Sequence, residues 1–302
     1  MIKGVFHLKQ ADFLIIDGSS VLVRAYFASA YGRRIMQSSE GVYTNGVFGF
    51  LNMMFGAIEQ VRPSHLFVAW DVSRDTFRRE LYPAYKGTRG ELPDELISQF
   101  DTMQEVLQAL GVAQHFDERY EADDIIGTLA RKAAEAKRHV VILTGDHDAL
   151  QLVQNEVTVA IMKKGITELD LYTPDFLMET WGLTPSQIID LKGLMGDTSD
   201  NIPGVPGIGE KTAKKLLAEH GTLENLIASR DSLTEKMKQK ITQHQELAIL
   251  SKRLATIVTD VPMDVSLSDC KISFSMEPAT MKLQELGLHR ALTHLQRLTQ
   301  VG

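Results

Sequence analysis

The spacing of apolar residues changes character along this chain. In "DFLIIDGSS", "HLFVAWD" and "HVVILTGDHDAL" the apolar positions run unbroken and then stop at aspartate. Short apolar runs bounded by turn residues predict strands buried on both faces. "TVAIMKKG" reads as a fourth strand. In "GVFGFLNMMFGAIEQV", "ELISQFDTMQEVLQALG" and "DDIIGTLARKAAEA" apolar residues recur every three or four positions, which predicts helices, with Gly111 stopping the second. Strands alternating with helices predict an α/β fold with a mostly parallel central sheet flanked by helices. After about residue 185 the pattern is helical, through "PSQIIDLKGLMG", "GEKTAKKLLAEHG", "TLENLIAS" and "SLTEKMKQKITQHQELAILSKRL". The closing segment, about 260–302, holds one expected strand, "CKISF", and a helix from about Pro278. No linker separates these parts. The expected organisation is an α/β domain over 1–185 and a smaller helical subdomain over 186–302, whose C-terminal segment packs back.

Composition narrows the class. A chain of 302 residues that is 44% hydrophobic can bury a sizeable core. One cysteine excludes an internal disulfide framework and fits a reducing compartment, so a cytoplasmic location is expected. The N-terminal residues do not read as a signal peptide, and no apolar run approaches the roughly 20 residues that span a bilayer. Net charge is −7, which argues against a protein that merely coats nucleic acid with basic surface. It does not exclude a nuclease whose carboxylates hold metal while local basic patches hold phosphate.

Acids at particular places carry the chemistry. Three strands end in aspartate: Asp17, Asp71 and the pair Asp146/Asp148. Strand C-termini lie along one edge of a parallel sheet, where ligands bind. "YEADDIIGTLA" crowds Glu121, Asp123 and Asp124 at a helix start, with Glu121 and Asp124 expected to share a face and Asp123 to point aside. Acids in a first turn are ordinary helix-end stabilisers, and each strand-end Asp alone would be an ordinary turn residue. "GLMGDTSDNIPG" adds Asp197 and Asp200, which brings the set to nine with no Cys or His among them. Oxygen-only ligands suit Mg²⁺ or Mn²⁺ rather than structural zinc. Nine exceed the needs of one ion, so two or more divalent ions about 4 Å apart are expected, an arrangement that serves phosphoryl displacement.

Two further stretches point to nucleic acid. "GVPGIGEKTAKKLL" combines Gly204, Gly207 and Gly209 with Lys211, Thr212, Lys214 and Lys215. The glycines permit a tight turn, and the helix start beyond it can hold phosphate. The stretch resembles a helix-hairpin-helix element, about 190–220, which grips a duplex without reading sequence. It is not a P-loop, because Lys211 follows Gly209 by only two. "DTFRRELYPAYKGTRGELP" interleaves Arg78, Arg79, Lys86 and Arg89 with Tyr82 and Tyr85, a pattern that suits single-stranded nucleic acid.

Together these motifs resemble the 5′-nuclease family, which includes flap endonucleases, phage 5′-exonucleases and the N-terminal domain of bacterial DNA polymerase I. "IIDGSSVLVRAYFA", "FVAWDVSRDTFRRELYPAYKGTR", "YEADDIIGTLA", "LTGDHDALQLV" and "LKGLMGDTSDNIPGVPGIGEKTA" carry the likeness, which covers nearly the whole chain. The chain looks like a stand-alone member, or that domain excised. The resemblance implies a PIN-like fold with a helical arch, about 77–105, over the site. It implies one metal group from Asp17, Asp71, Glu121, Asp123 and Asp124, and a second from Asp146, Asp148, Asp197 and Asp200. Lys86 and Arg89 would polarise the scissile phosphate, Tyr85 would stack on a terminal base and Arg78 would contact phosphate. The hairpin would hold downstream duplex with a bound K⁺. The implied activity is Mg²⁺-dependent 5′-3′ exonuclease and flap endonuclease action on DNA in replication and repair, including primer processing, by a monomer. His147 stands where relatives often carry Lys, and "YGRRIMQSSEGVYTNG" resembles an insertion, with Arg33 and Arg34 read as surface charge. Two rivals remain. A haloacid-dehalogenase-type phosphatase needs a nucleophilic Asp where Ile15 stands. A non-catalytic DNA-structure-binding module would use the hairpin and the basic stretch, but nine uncompensated acids would repel DNA.

Overall fold

The computed structural model describes residues 11–30, 35–73, 75–164 and 168–300. Arg33 and Arg34 lie outside them. The strands are β1 (Phe13–Asp17), β2 (His65–Asp71), β3 (Ala113–Asp117), β4 (Val140–Thr144), β5 (Val157–Lys164) and β6 (Glu168–Tyr172). They form one sheet in the order β3-β2-β1-β4-β5-β6, parallel except for β6, which runs antiparallel to β5. The chain builds outward from β1 to β3, then returns to β4 on the other side of β1. That reversal makes a switch point between β1 and β4, and ligands bind outside the strand C-termini at such points. Asp17, Asp71 and the Asp146 turn therefore reach one rim.

Alternation along each strand sends side chains to two cores. Leu14, Ile16, Val68, Trp70, Val141 and Leu143 enter one. Phe13, Ile15, Phe67, Ala69, Val140 and Ile142 enter the other. The first core is covered by α1 (Gly18–Ala30), α2 (Asn45–Val61) and α4 (Asp94–Leu110). Short α3 (Phe77–Leu81) precedes α4, while α5 (Ala122–Glu135) covers the second core. Gly18 lets α1 leave β1 at once, because a Cβ there would meet Val68, Ala69 and Trp70 of β2 at 2.7–2.8 Å.

The helical part comprises α6 (Pro174–Trp181), α7 (Gln187–Met195), α8 (Glu210–His220), α9 (Leu223–Ala228) and the long α10 (Glu235–Ala255). After α10 the chain runs back across the sheet domain to α11 (Met276–Glu285) and α12 (His289–Gln300). Ala279, Leu283, Ala291, Leu292 and Leu295 of these last helices enter the first core.

Three readings need correction. "CKISF" is not a strand: it makes one bridge, Lys271 to His65, and Ile272 N–H donates to Ser64 O. β3 and β6 add two strands to those expected; both are edge strands, only partly buried, and "AQHFD" has no apolar run. The expected arch, 77–105, divides at Pro93: beyond it α4 buries Leu96, Met103, Val106 and Leu107 in the core. The stretch that reaches the rim acids is 77–93, through α3 and the turns after it.

Candidate metal and nucleic-acid site

The nine acids fall into two classes according to whether a protein cation faces them. Asp17, at the end of β1, accepts from Ser20 N–H (2.9 Å) and the Thr144 hydroxyl (2.7 Å). Asp71, ending β2, accepts from Ala122 N–H (2.8 Å) at the start of α5. Asp146 accepts from Asp148 N–H (2.9 Å) in the turn after β4. None of these three, nor Asp123, has a Lys or Arg within ion-pair distance among the described residues. Burial, then Asp71, pushes the Asp17 carboxyl up to about 7. Burial, then Asp146, Asp17 and Asp71, pushes Asp123 well above the carboxylate range. Like charges held this close favour a counter-cation.

The other five acids already have one. Lys86 Nζ is 2.9 Å from Glu121, and Arg89 is 2.5 Å from Asp200. Lys192 pairs with Asp148 at 2.6 Å and also with Asp197. Burial and Asp146 still lift Asp148 to about 6. Asp197 is held low: burial opposes this, but hydrogen bonds from Lys192 and Ser199 prevail. Lys192, from "LKGLMGD", is the functional candidate that the sequence reading missed; only its position five residues before Asp197 hinted at it.

Asp124 does not take the metal-facing place expected of it. It is fully buried, and Arg78 grips both its oxygens, at 2.6 and 2.7 Å. Glu121 N–H and Val258 N–H complete its partners, so no lone pair faces the rim. Asp123, expected to point aside, is the one lying among the rim acids. Arg78 departs from expectation with it. At 2% exposed, it also donates to the carbonyls of Leu254 (2.9 Å) and Thr256 (2.8 Å), and it cannot meet phosphate in this arrangement. Tyr85 is 4% exposed and donates towards Glu121 and Asp200, both at 3.1 Å, so its ring is not presented for base stacking. Lys86 and Arg89 do reach the rim. A cleft of about 430 Å³ opens there, lined by Ser20, Arg89, Asp146, Asp148, Lys192 and Asp197.

The donor set fits divalent ions: clustered carboxylates, four without a protein cation and two of those raised by burial and mutual repulsion. Among the described residues no three close around one point as a finished shell would. The residues that would hold the ions are Asp17, Asp71, Asp123 and Asp146, with Glu121, Asp148, Asp197 and Asp200 beside them.

At the hairpin, Gly207 and Gly209 are exposed, as is Lys211 at the start of α8. Gly204 is buried instead. A Cβ there would overlap the backbone of Gly196, and its N–H donates to Ser251 Oγ (3.0 Å), so it closes the turn rather than meeting DNA. Lys214 lies over the Trp181 ring (4.8 Å) and pairs with Glu210 (2.7 Å), while Lys215 faces Glu219 (3.8 Å). Thr212 is partly exposed beside Lys211. Within this turn Lys240 Nζ donates to Gly207 O (2.9 Å). Val205 O and Gly209 O each accept one bond, from Ile208 and Ala213, which leaves each a second lone pair.

Two family profiles cover most of the chain. Residues 12–182 match the 5′-3′ exonuclease N-terminal resolvase-like domain, and 183–277 match the 5′-3′ exonuclease C-terminal SAM fold. The chain belongs to the 5′-3′ exonuclease family. It is 46% identical over 285 residues to DNA polymerase I of Bacillus caldotenax, covering 94% of this chain and 32% of that protein. It is 41% identical over 285 residues to a 5′-3′ exonuclease of Bacillus subtilis, covering 93% of this chain and 96% of that one. The chain thus spans about a third of its DNA polymerase I relatives and nearly all of the Bacillus exonuclease. In fold it is similar to the T5 5′-exonuclease with bound zinc (TM-score 0.69, 20% identity, covering 83% of this chain and 90% of that one). It is also similar to the Rad2 catalytic core in complex with DNA substrate (TM-score 0.62, 15% identity, covering 96% and 92%).

Proposed function

We propose that this chain hydrolyses DNA phosphodiester bonds at 5′ ends and 5′ flaps, with Mg²⁺ as its physiological ion and Mn²⁺ as a substitute. One observation carries the reading: Asp17, Asp71, Asp123 and Asp146 crowd the sheet's switch point with no Lys or Arg in ion-pair contact among the described residues, while Lys86 and Arg89 stand near enough to act electrostatically on Asp71, Asp123 and Asp146. Bound divalent ions supply Lewis acidity and lower the pKa of water. The chain's own residues do the rest. A phosphate entering the 430 Å³ cleft meets Arg89 in its wall and competes with Asp200 for it; Lys86, partly exposed and paired with Glu121, can be drawn to phosphate in the same way. Those cations then stabilise charge that develops on the phosphate oxygens. Lys192 sets the spacing of Asp148 and Asp197. Lys211 and the first N–H groups of α8 hold the duplex backbone. The family, the Bacillus exonuclease and the DNA-bound Rad2 core support the substrate class. A place in primer processing and repair, action as a monomer and a cytoplasmic location belong to the same proposal. The phosphatase rival lacks its nucleophile, because Ile15 is a fully buried strand residue.

The test is a 5′-labelled flap beside a blunt duplex and a single strand, each with Mg²⁺, with Mn²⁺ and with EDTA. Cutting near the flap junction, dependent on the metal, is the expected result. Binding without cutting under both metals would leave only a DNA-structure-binding module.

A further inference from the structure

Four non-glycine residues among those described have left-handed backbone: Arg62, Lys86, Lys137 and Asn201. Lys86 (φ 53°) and Asn201 (φ 54°) face each other. Lys86 N–H donates to Asp200 O (2.8 Å), and the Asn201 side-chain amide donates to Ala84 O (2.7 Å). These two bonds fasten the basic stretch to the Asp197–Ile202 turn through backbone atoms, independently of where the Lys86 and Arg89 heads point. The left-handed region is an uncommon backbone conformation for lysine, and the two bonds hold Lys86 in it.

We propose that Asn201 is a positioning residue: its amide clamps the base of the basic stretch so that Lys86 and Arg89 can exchange carboxylate for phosphate without the backbone moving. The kinetic half rests on the nuclease reading above; the structural half does not. Asn201 is partly exposed and bonded to no acid of the rim, so its removal strips neither charge nor a metal-facing oxygen from the site.

Two variants separate the clamp from backbone strain. N201G keeps the left-handed turn and loses the donor. N201D is isosteric, tolerates the same φ, and only accepts hydrogen bonds. In EDTA, trypsin should cut after Lys86 and Arg89 several-fold faster in both variants, at unchanged melting temperature. With flap DNA, N201G should slow the single-turnover rate on the order of 10- to 100-fold, with DNA affinity and metal dependence unchanged. In a cycle with the K86A/R89A pair, adding N201G should slow the reaction no further, because Asn201 acts through Lys86 and Arg89. Wild-type tryptic rates in either variant would overturn the clamp. Multiplying losses in the cycle, or a shifted metal dependence, would instead place the effect in the acidic turn and overturn the positioning role. If the wild type cuts no substrate, the nuclease reading fails while the tryptic comparison still decides the clamp.

Discussion

Asp123 and Asp124 are the same residue type one position apart, yet they have opposite partners. Asp124 sits inside, held by Arg78 and two backbone N–H groups; Asp123 sits among like charges. Removing one partner of a buried ion pair leaves an uncompensated charge, so Arg78→Ala should cost about 3–5 kcal/mol in denaturant unfolding. Arg78→Lys should recover little of it, because lysine lacks the two-pronged fork. Asp123→Asn should leave stability in EDTA unchanged or raised while cleavage falls by orders of magnitude. The raised acids also set a pH dependence. Asp17 rises from about 3.9 unfolded to about 7 folded, so its stabilising contribution is full below pH 4 and is lost as pH climbs towards 7. The melting temperature in EDTA should therefore fall across that window, with a shallower fall in Asp17→Asn. A flat profile would show that Asp17 is not held neutral.

At the scale of elements, helix α8 shows that spacing alone does not make a phosphate grip. Lys211, Lys214 and Lys215 look equivalent in "GEKTAKKLL", but Lys214 is taken by Trp181 and Glu210. Lys211→Ala should weaken DNA binding and lower the log-affinity against log-salt slope by about 1. Lys214→Ala should change that slope less; anisotropy titrations across a salt series compare them. Equal slope changes would mean that DNA draws Lys214 off the indole.

Across the whole molecule, the chain end reaches back over its beginning. The SAM-fold match stops at residue 277, but α11 and α12 fill the core against α2 and α4. The backbone at Leu254, Thr256 and Val258 meets Arg78 and Asp124 beneath the site. Ending the chain before Met276 should expose that apolar face, lower the melting temperature by more than 10 °C and increase binding of a hydrophobic dye. The acidic rim lies on the far chain segments, so weak divalent-ion binding should survive in whatever fraction stays folded.

Apolar runs ending in Asp17, Asp71 and Asp146 were enough to foresee a parallel sheet with acids on one rim, because strand burial and turn chemistry are local. The hairpin was legible for the same reason: glycine and lysine spacing acts within one turn of chain. Edge strands escaped, since partial burial leaves no period to read. What each acid and cation does was decided by the fold. Whether a carboxylate meets a guanidinium, a backbone amide or another carboxylate can depend on segments more than a hundred residues apart, as Asp124 with Val258 and Asp200 with Arg89 show. Sequence fixes the inventory of charge; only tertiary packing chooses which charges are neutralised inside the protein and which are left without a protein partner.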